Sequence, residues 1–464
     1  MLKGHTTIEL TDVNSGKKEV VESDNMFTNA VSEIFQPVFG HMTLWSELSG
    51  YIPAYENILG GLLLFDGEIP EDADNYFLPA GILPVGFASY NSVNTGTGTM
   101  QGSYNSVESQ FDEVNKTMTF VYDFNTAQCN GTIASVCLSH SRSGNGPYGS
   151  DITYGGMIAA YPYSAPDPRL VSSGTAYGLD SMSLLTEYLF VVDPDNEAIY
   201  YVKIDDSKHL VIVKKTSHFK TISLFSKQYD VIDNIDLDEL EIPLGSKIYY
   251  QFDYDDDSLY LISANSEMIN ANETFTVTKV AFGTWNVEQH EIQNLSGSKL
   301  VMYGYGSFVS DGYIYSEEET ASAQRAVYKI NLTNSADITM LSGTKYNQTV
   351  FSLARNGIIF ASDGRTNPNY GLDIIDTSLN AIRNSGLTRV ATVSMGGNAY
   401  EGKVIAVRNH PLLIFTVRSS SSGEHFGFLT NYLATINNLS SPVTKTSAQT
   451  MKITYTLQEV EDND

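Results

Sequence analysis

The stretch KIYYQFDYDDDSLYLIS, residues 247–263, decides the fold. Two apolar, aromatic-rich runs flank a short acidic turn. Tyr, Phe, Ile and Leu suit a half-buried pleated surface, and the clustered Asp and Ser residues suit a tight reversal, so the stretch predicts a β-hairpin. Four other stretches repeat the plan: YLFVVDPDNEAIYYVKI (188–204), SFVSDGYIYSEEE (307–319), VFSLARNGIIFASD (350–363) and KVIAVRNHPLLIFTV (403–417). Their centres lie roughly 45–60 residues apart, the period of four-stranded propeller blades. The third and fourth copies are followed by further strand-like runs, AVYKINL and LDIID. A lone blade cannot bury both faces, so the repeat predicts several blades around an axis. Five to seven blades fit residues 170–430. A β-sandwich or jelly-roll with regular hairpins fits the same pattern and stays open.

The flanks read as β structure too. TTIELTDV and KKEVVE bracket a turn at Asn14-Ser15-Gly16, and Thr28 stands as an N-cap before Val31, Ile34 and Phe35 at helical spacing. Residues 36–100 carry Pro37, Pro53, Pro70, Pro79 and Pro84, which forbid long helices and suggest an interaction surface. Met118, Phe120, Tyr122 and Phe124 alternate with polar or smaller residues, as in a strand. A mainly β N-terminal domain is expected over 1–160. The closing segment, 431–464, ends in a strand with Met451, Ile453, Tyr455 and Leu457 on one face, followed by acidic EVEDND. Such a strand suits edge pairing with a neighbouring subunit. The two chain ends are also expected to pack together in one stem.

Composition narrows the partners. The net charge of −27 repels phosphate backbones, which argues against nucleic acid, and keeps copies soluble before assembly. One local reversal, with Lys208, Lys214, Lys215, Lys220 and Lys227 beside His209 and His218, reads as a solvated strand face or a dock for an acidic partner. No apolar run approaches the roughly 20 residues that span a bilayer. MLKGHTTIELTDV has no apolar signal-peptide core, so cytoplasmic synthesis is expected. Cys129 and Cys137 sit in CNGTIASVC, read as one buried strand; eight residues apart, they are too distant to bond and are expected as free thiols.

Chemistry is sparsely marked. H-E-x-x-H, G-x-S-x-G and phosphate-loop patterns are absent, and Ser296 with Lys299 matches S-x-x-K only within a turn. Asp253, Asp255 and Asp257 have the D-x-D-x-D spacing of calcium ligands, without the Gly and Glu that complete an EF-hand loop; a hairpin turn explains them equally, as it does Asp193 and Asp195. No other cofactor is indicated. Tyr148, Tyr154, Tyr303 and Tyr305 lie beside glycines and small polar residues, a setting for stacking on sugar rings or for packing within strands. A pair of carboxylates for glycoside hydrolysis leaves no sequence signature.

GHTTIELTDVNSGKKEVVESDNMFTNAV, GGLLLFDGEIPED, QGSYNSVESQ with FVYDFNTAQCNGTIASVCLSH, and ATINNLSSPVTKTSAQTMKITYTL together resemble virion structural proteins of tailed bacteriophages that infect Gram-positive bacteria. The resemblance covers about 1–150 and 430–460. It implies a tail, baseplate or fibre component, located in the virion. Its expected partners are other virion proteins, further copies of itself and a host-surface glycan or protein. It brings no catalytic residues. A polysaccharide-degrading tail enzyme and a head or neck decoration protein are the alternatives.

Overall fold

The computed structural model describes residues 2–33, 58–90, 98–140, 146–154, 189–193, 195–204, 209–216, 230–236, 247–302, 307–320, 324–343, 345–346, 349–363, 372–384, 403–406, 408–409, 413–418 and 425–460. The chain divides into two compact units. Unit 1 comprises residues 1–35, 46–150 and 429–464, and unit 2 comprises 36–45 and 151–428.

Unit 1 begins with a long hairpin, β1 (Leu2–Asp12) and β2 (Lys18–Phe27), and one helical turn, α1 (Ala30–Glu33). Asp12 accepts the amides of Asn14 and Ser15 and so fixes the hairpin turn. Thr28 caps α1 through the Ala30 amide. Then come β3 (Gly61–Phe65), β4 (Pro84–Ser89), β5 (Ser103–Tyr104), β6 (Gln110–Asp112), β7 (Thr117–Phe124) and β8 (Gly131–Ser139). The strand β9 (Gly149–Tyr154) follows and joins the propeller.

Among the described residues unit 2 forms five four-stranded blades. Blade 1 is β10 (Leu189–Asp193), β11 (Ala198–Ile204), β12 (His209–Thr216) and β13 (Asp230–Asp236). Blade 2 is built from β14 (Lys247–Asp253), β15 (Ser258–Ala264), β17 (Thr274–Ala281) and β18 (Val287–Gln293), with the short strand β16 (Met268–Ile269) paired to β19 (Leu300–Val301). Blade 3 holds β20 (Ser307–Ser310), β21 (Tyr313–Glu317), β23 (Val327–Asn331) and β24 (Ile338–Met340); beside it β22 (Gln324–Arg325) pairs β25 (Lys345–Tyr346). In blade 4 run β26 (Thr349–Arg355), β27 (Ile358–Asp363), β28 (Leu372–Asp376) and β29 (Ala381–Asn384). Blade 5 takes β30 (Lys403–Ala406), β31 (Leu413–Arg418) and β32 (His425–Thr430) from one part of the chain and completes its outer edge with β9. The chain returns to unit 1 with β33 (Thr435–Lys445) and β34 (Gln449–Glu459).

The order within unit 2 is that of a five-bladed β-propeller. Each blade is antiparallel, and the inner strands β10, β14, β20, β26 and β30 are neighbours in a ring that returns to β10. Borrowing β9 for blade 5 lets backbone hydrogen bonds hold the ring shut. Between blades the faces are apolar. Val202, Ile212, Phe252 and Leu261 share one buried cluster; Ile262, Val277, Val309 and Ile330 share the next; Phe308, Tyr315, Ile359 and Ile375 share a third. This is the burial that no blade achieves alone. Among the described residues five blades are formed, at the lower end of the expected range, and the runs AVYKINL and LDIID supply the third strands of blades 3 and 4.

Unit 1 is a nearly closed barrel-like sheet in the order β4-β3-β8-β33-β2-β1-β34-β7-β5, with β6 added to β7. Its two ends approach where the Phe87 amide donates to the Met100 carbonyl and the Gly102 amide donates to the Phe87 carbonyl. Gly102 is required there: a Cβ would lie 2.5 Å from the Phe124 ring. Cys129 and Cys137 are buried free thiols whose pKa burial pushes up to about 12. Only Cys137 lies in a strand; Cys129 precedes β8 with φ 51°.

Two expectations are corrected. Residues 431–464 are not a separate segment but part of unit 1, together with most of the N-terminal region. The last strand has no free edge for a neighbouring subunit. β34 pairs with β1 along its whole length, Leu2↔Glu459 to Asp12↔Gln449, and with β7 on its other side. The reason is apolar burial: Met451, Ile453, Tyr455 and Leu457 are each 4% exposed or less, and the Tyr455 hydroxyl bonds the Thr435 hydroxyl at 2.6 Å. Ile453→Ala is therefore expected to destabilise unit 1 of the isolated chain by about 2–4 kcal/mol. Urea unfolding followed by circular dichroism measures this, and an unchanged transition would mean that β34 is dispensable to the monomer.

Candidate functional site

The five hairpins that join inner to second strands converge at one end of the propeller. Sequence sets each turn. Blade 3 turns on Asp311-Gly312 (φ 51° and 73°) and blade 4 on Asn356-Gly357 (φ 51° and 73°). Both pairs adopt the left-handed conformation that two-residue hairpins require and that Asn, Asp and Gly tolerate best. Blades 1 and 2 use longer acidic turns that end on left-handed Glu197 and Asp257.

These turns hold one another. Asp253, fully buried at the end of β14, accepts the Asp255 amide at 3.0 Å and the Asp311 amide of blade 3 at 3.4 Å. Asp255 accepts two amides of the blade 4 turn, from Asn356 at 2.6 Å and Gly357 at 3.0 Å. Arg408 of blade 5 forks onto Asp257 of blade 2, with Nη2 at 2.6 Å and Nε at 3.1 Å, while its Nη1 reaches Asp193 of blade 1 at 3.2 Å. Asn409 reaches Asp195 at 3.5 Å. Further along the inner strands, Gln251 donates to the Val309 carbonyl at 3.0 Å. Every blade takes part, and the bonds from Asp255 join blades that are not neighbours in the ring.

Charge here is mostly negative, and the carboxylates differ in fate. Asp193 is fully buried but faces Arg408 and also accepts the Asn196 amide and side chain. Asp256 pairs with Lys279 at 2.7 Å and accepts the Tyr260 hydroxyl at 2.7 Å. Asp253 has two amides and no cation. Burial, and then the charges of Asp255 and Asp256, push its pKa up to about 8. Its carboxyl therefore holds a proton far more readily than an exposed aspartate does. The Arg408 guanidinium is held charged by Asp257.

Of the residues singled out in the sequence, Asp253, Asp255 and Asp257 do come together at this end. Their oxygens, however, face three separate partners: the blade 3 amide, the blade 4 amides and Arg408. They do not converge on a cation, and among the described residues no group of three or more His, Cys, Asp or Glu is placed to hold a metal ion. Tyr148 belongs to unit 1 and is 7% exposed, so its ring is no open stacking platform. Tyr154 lies on β9, with its side chain outside the described residues, as are Tyr303 and Tyr305 altogether. Of the lysine-rich stretch, Lys214 lies over the Tyr200 ring, 6.0 Å from its centre. Arg408 is the residue that motif searching missed. Superposing the five repeats does not single it out, because the fourth carries the same Arg-Asn pair, Arg355-Asn356, at its turn.

No protein-family model matches the chain, and no curated protein does. Among solved structures it is similar to TolB from Acinetobacter baumannii, at 10% identity and a TM-score of 0.28, covering 92% of this chain and 77% of that one. It is also similar to the GH43 endo-arabinanase from Bacillus licheniformis, at 10% identity and a TM-score of 0.28, covering 55% of this chain and 93% of that one. A third likeness is to the uncharacterised protein lmo1340 from Listeria monocytogenes EGD-e, at 9% identity and a TM-score of 0.24, covering 50% of this chain and 74% of that one. Likeness this low carries no argument about activity, and the propeller assignment rests on the strand order itself.

Two substitutions test the network. Arg408→Met leaves Asp193 buried without its cation and is expected to cost about 3 kcal/mol of propeller stability. Asp253→Asn tests the raised acid. Folding lifts this carboxyl above the roughly 4 of an unfolded chain, so the native state binds the proton more tightly. Its contribution to stability is greatest at acid pH and is lost as pH climbs from about 4 toward about 8. Calorimetry across that range should show Asp253→Asn gaining on the parent as pH rises. Parallel curves would contradict the assignment.

Proposed function

We propose that this chain is a virion structural protein of a tailed bacteriophage, of the tail, baseplate or fibre kind. In this reading unit 1 joins other virion proteins, and the propeller meets a host-surface glycan or protein. Repeated copies would multiply a weak contact into firm adhesion. The observation that carries the reading is the arrangement along the chain. A barrel-like unit is woven from both chain ends, and a complete propeller is interposed between them. Such a layout suits a part with one end for assembly and another for display. The sequence resemblance falls on the barrel-forming segments, which agrees with an assembly role there. At the axial end, most of the carboxylates are taken up by amides and cations, which favours a passive platform over hydrolysis.

A second reading, a polysaccharide hydrolase, is favoured by one feature. The pKa of Asp253 is pushed up to about 8 by burial and by the charges of Asp255 and Asp256, the direction a general acid for glycoside cleavage needs. Its burial among turn amides speaks against contact with a polymer.

One experiment separates these readings. Purified full-length protein is incubated with Gram-positive host cells and with isolated wall polysaccharide. Saturable binding to cells without new reducing ends is expected, together with antibody labelling at the tail of intact particles. New reducing ends that vanish in Asp253→Asn would replace the proposal with the hydrolase. Labelling confined to the head would replace it with a decoration protein.

A further inference from the structure

The inner face of the unit 1 sheet does not end in a sealed layer. Along β1, β34, β7 and β6 the register aligns Gly4, Leu457, Met118 and Phe111 in one cross-strand row. The apolar face that is fully buried deeper in the sheet, at Ile8, Ile453, Phe120 and Tyr122, therefore runs outward to an open mouth. At that mouth lies a cavity of about 240 Å³ whose walls include Leu2, Met118, Leu457 and Phe111. An apolar cavity of about 150 Å³ already accepts a benzene-sized ring, so this one has room for a large side chain.

The lip is apolar and held rigid. Phe111 is 60% exposed and Val114 90% exposed. Phe111 also lines the cavity, so its exposed ring and the open mouth form one continuous apolar surface. The β6–β7 turn that carries them is fixed by Asp112, which accepts the amides of Val114 at 2.9 Å and Asn115 at 3.0 Å and also binds the Asn115 side chain at 2.7 Å. A lip already in place adds little ordering cost when a partner arrives. Charge then narrows the occupant. The cavity is rimmed by Glu113 and Glu459 against a single Lys116, in a chain of net charge −27. A second copy would bring the same negative field. A basic segment would be drawn in.

We propose that this mouth is a docking site for a segment of a different protein, which inserts one large apolar side chain flanked by Lys or Arg. The inference stands on unit 1 alone and is independent of the functional reading above.

The test uses the full-length chain and three fluorescein-labelled pentapeptides read by anisotropy: Lys-Lys-Trp-Lys-Lys, Lys-Lys-Ser-Lys-Lys and Glu-Glu-Trp-Glu-Glu. The first should bind at least about tenfold more tightly than either control. Phe111→Ser should weaken it by about tenfold while leaving the thermal unfolding curve unchanged, since that ring is largely exposed. Glu113→Lys with Glu459→Lys should shift preference toward the acidic peptide. Equal binding of the serine peptide would reduce the site to non-specific charge attraction and overturn the proposal. So would tighter binding of the acidic peptide by the unaltered chain, or no effect of Phe111→Ser. Self-association abolished by Phe111→Ser would also overturn it, by making a second copy the occupant.

Discussion

The pairing of β1 with β34 is the constraint on which the rest of the structure depends. Eleven consecutive residue pairs join strands about 440 residues apart in the chain, so the entropy of closing that loop must be recovered in one place. The apolar row on β34 contributes to that recovery, since Met451, Ile453, Tyr455 and Leu457 are buried in the finished sheet. Everything between those strands is then held as a closed excursion. The propeller repeats the device on a smaller scale. Its fifth blade lacks an outer strand until β9, which precedes all the other blade strands in the chain, completes it. In both units, strands distant in sequence make the last closure, and neither sheet is finished by local hairpins alone.

The second organising feature is electrostatic. At the convergence of the five inner turns, carboxylates outnumber cations, and the structure resolves the excess in two ways. Asp193 and Asp257 share the Arg408 guanidinium, whose planar fork can serve two blades at once. Asp253 and Asp255 use backbone amides instead. The first is buried, which pushes its pKa up to about 8; the second reaches the blade 4 turn. Turn geometry makes this possible. Left-handed Asp311 and Asn356 present their amides to Asp253 and Asp255, and left-handed Asp257 accepts Arg408. The acidic turns thus join the blades, and their D-x-D-x-D spacing follows from that task, because alternate residues of the turn face different neighbours.

Much of this was legible in sequence. The five hairpin repeats are the first two strands of the five blades, and their period gave the propeller class. The alternation of Met118, Phe120, Tyr122 and Phe124 marked β7, and the turn at Asn14-Ser15-Gly16 marked the first hairpin. What escaped was long-range pairing. Alternation at 451–457 reveals a half-buried strand but not its partner, so an edge for a neighbouring subunit and a place inside the chain's own sheet read identically. Burial of Tyr148 was hidden for the same reason: small flanking residues occur both where a ring is exposed and where a backbone packs close against it. Arg408 was hidden because a lone arginine in a turn carries no motif. Its meaning arises only when five turns meet.

These closures bear on how the molecule forms. When β1 and β2 leave the ribosome, the outer edge of β1 has no partner, and an unpaired edge invites association with other chains. Roughly 440 residues must be added before β34 arrives, a matter of tens of seconds at about 5–20 residues per second. The exposed face of β1 offers some protection through Lys3, His5 and Glu9, which alternate with the buried row and break any continuous apolar surface. The propeller has no equivalent wait within most of its blades, since four of them are built from strands close together in the chain, interrupted only by the short β16 and β22. Blade strands can therefore pair as they emerge, whereas the unit 1 sheet closes only after β33 and β34 are made. A fold of this kind gains little from stronger hairpins. Its yield depends on how well the early strands resist wrong partners until the right one is made.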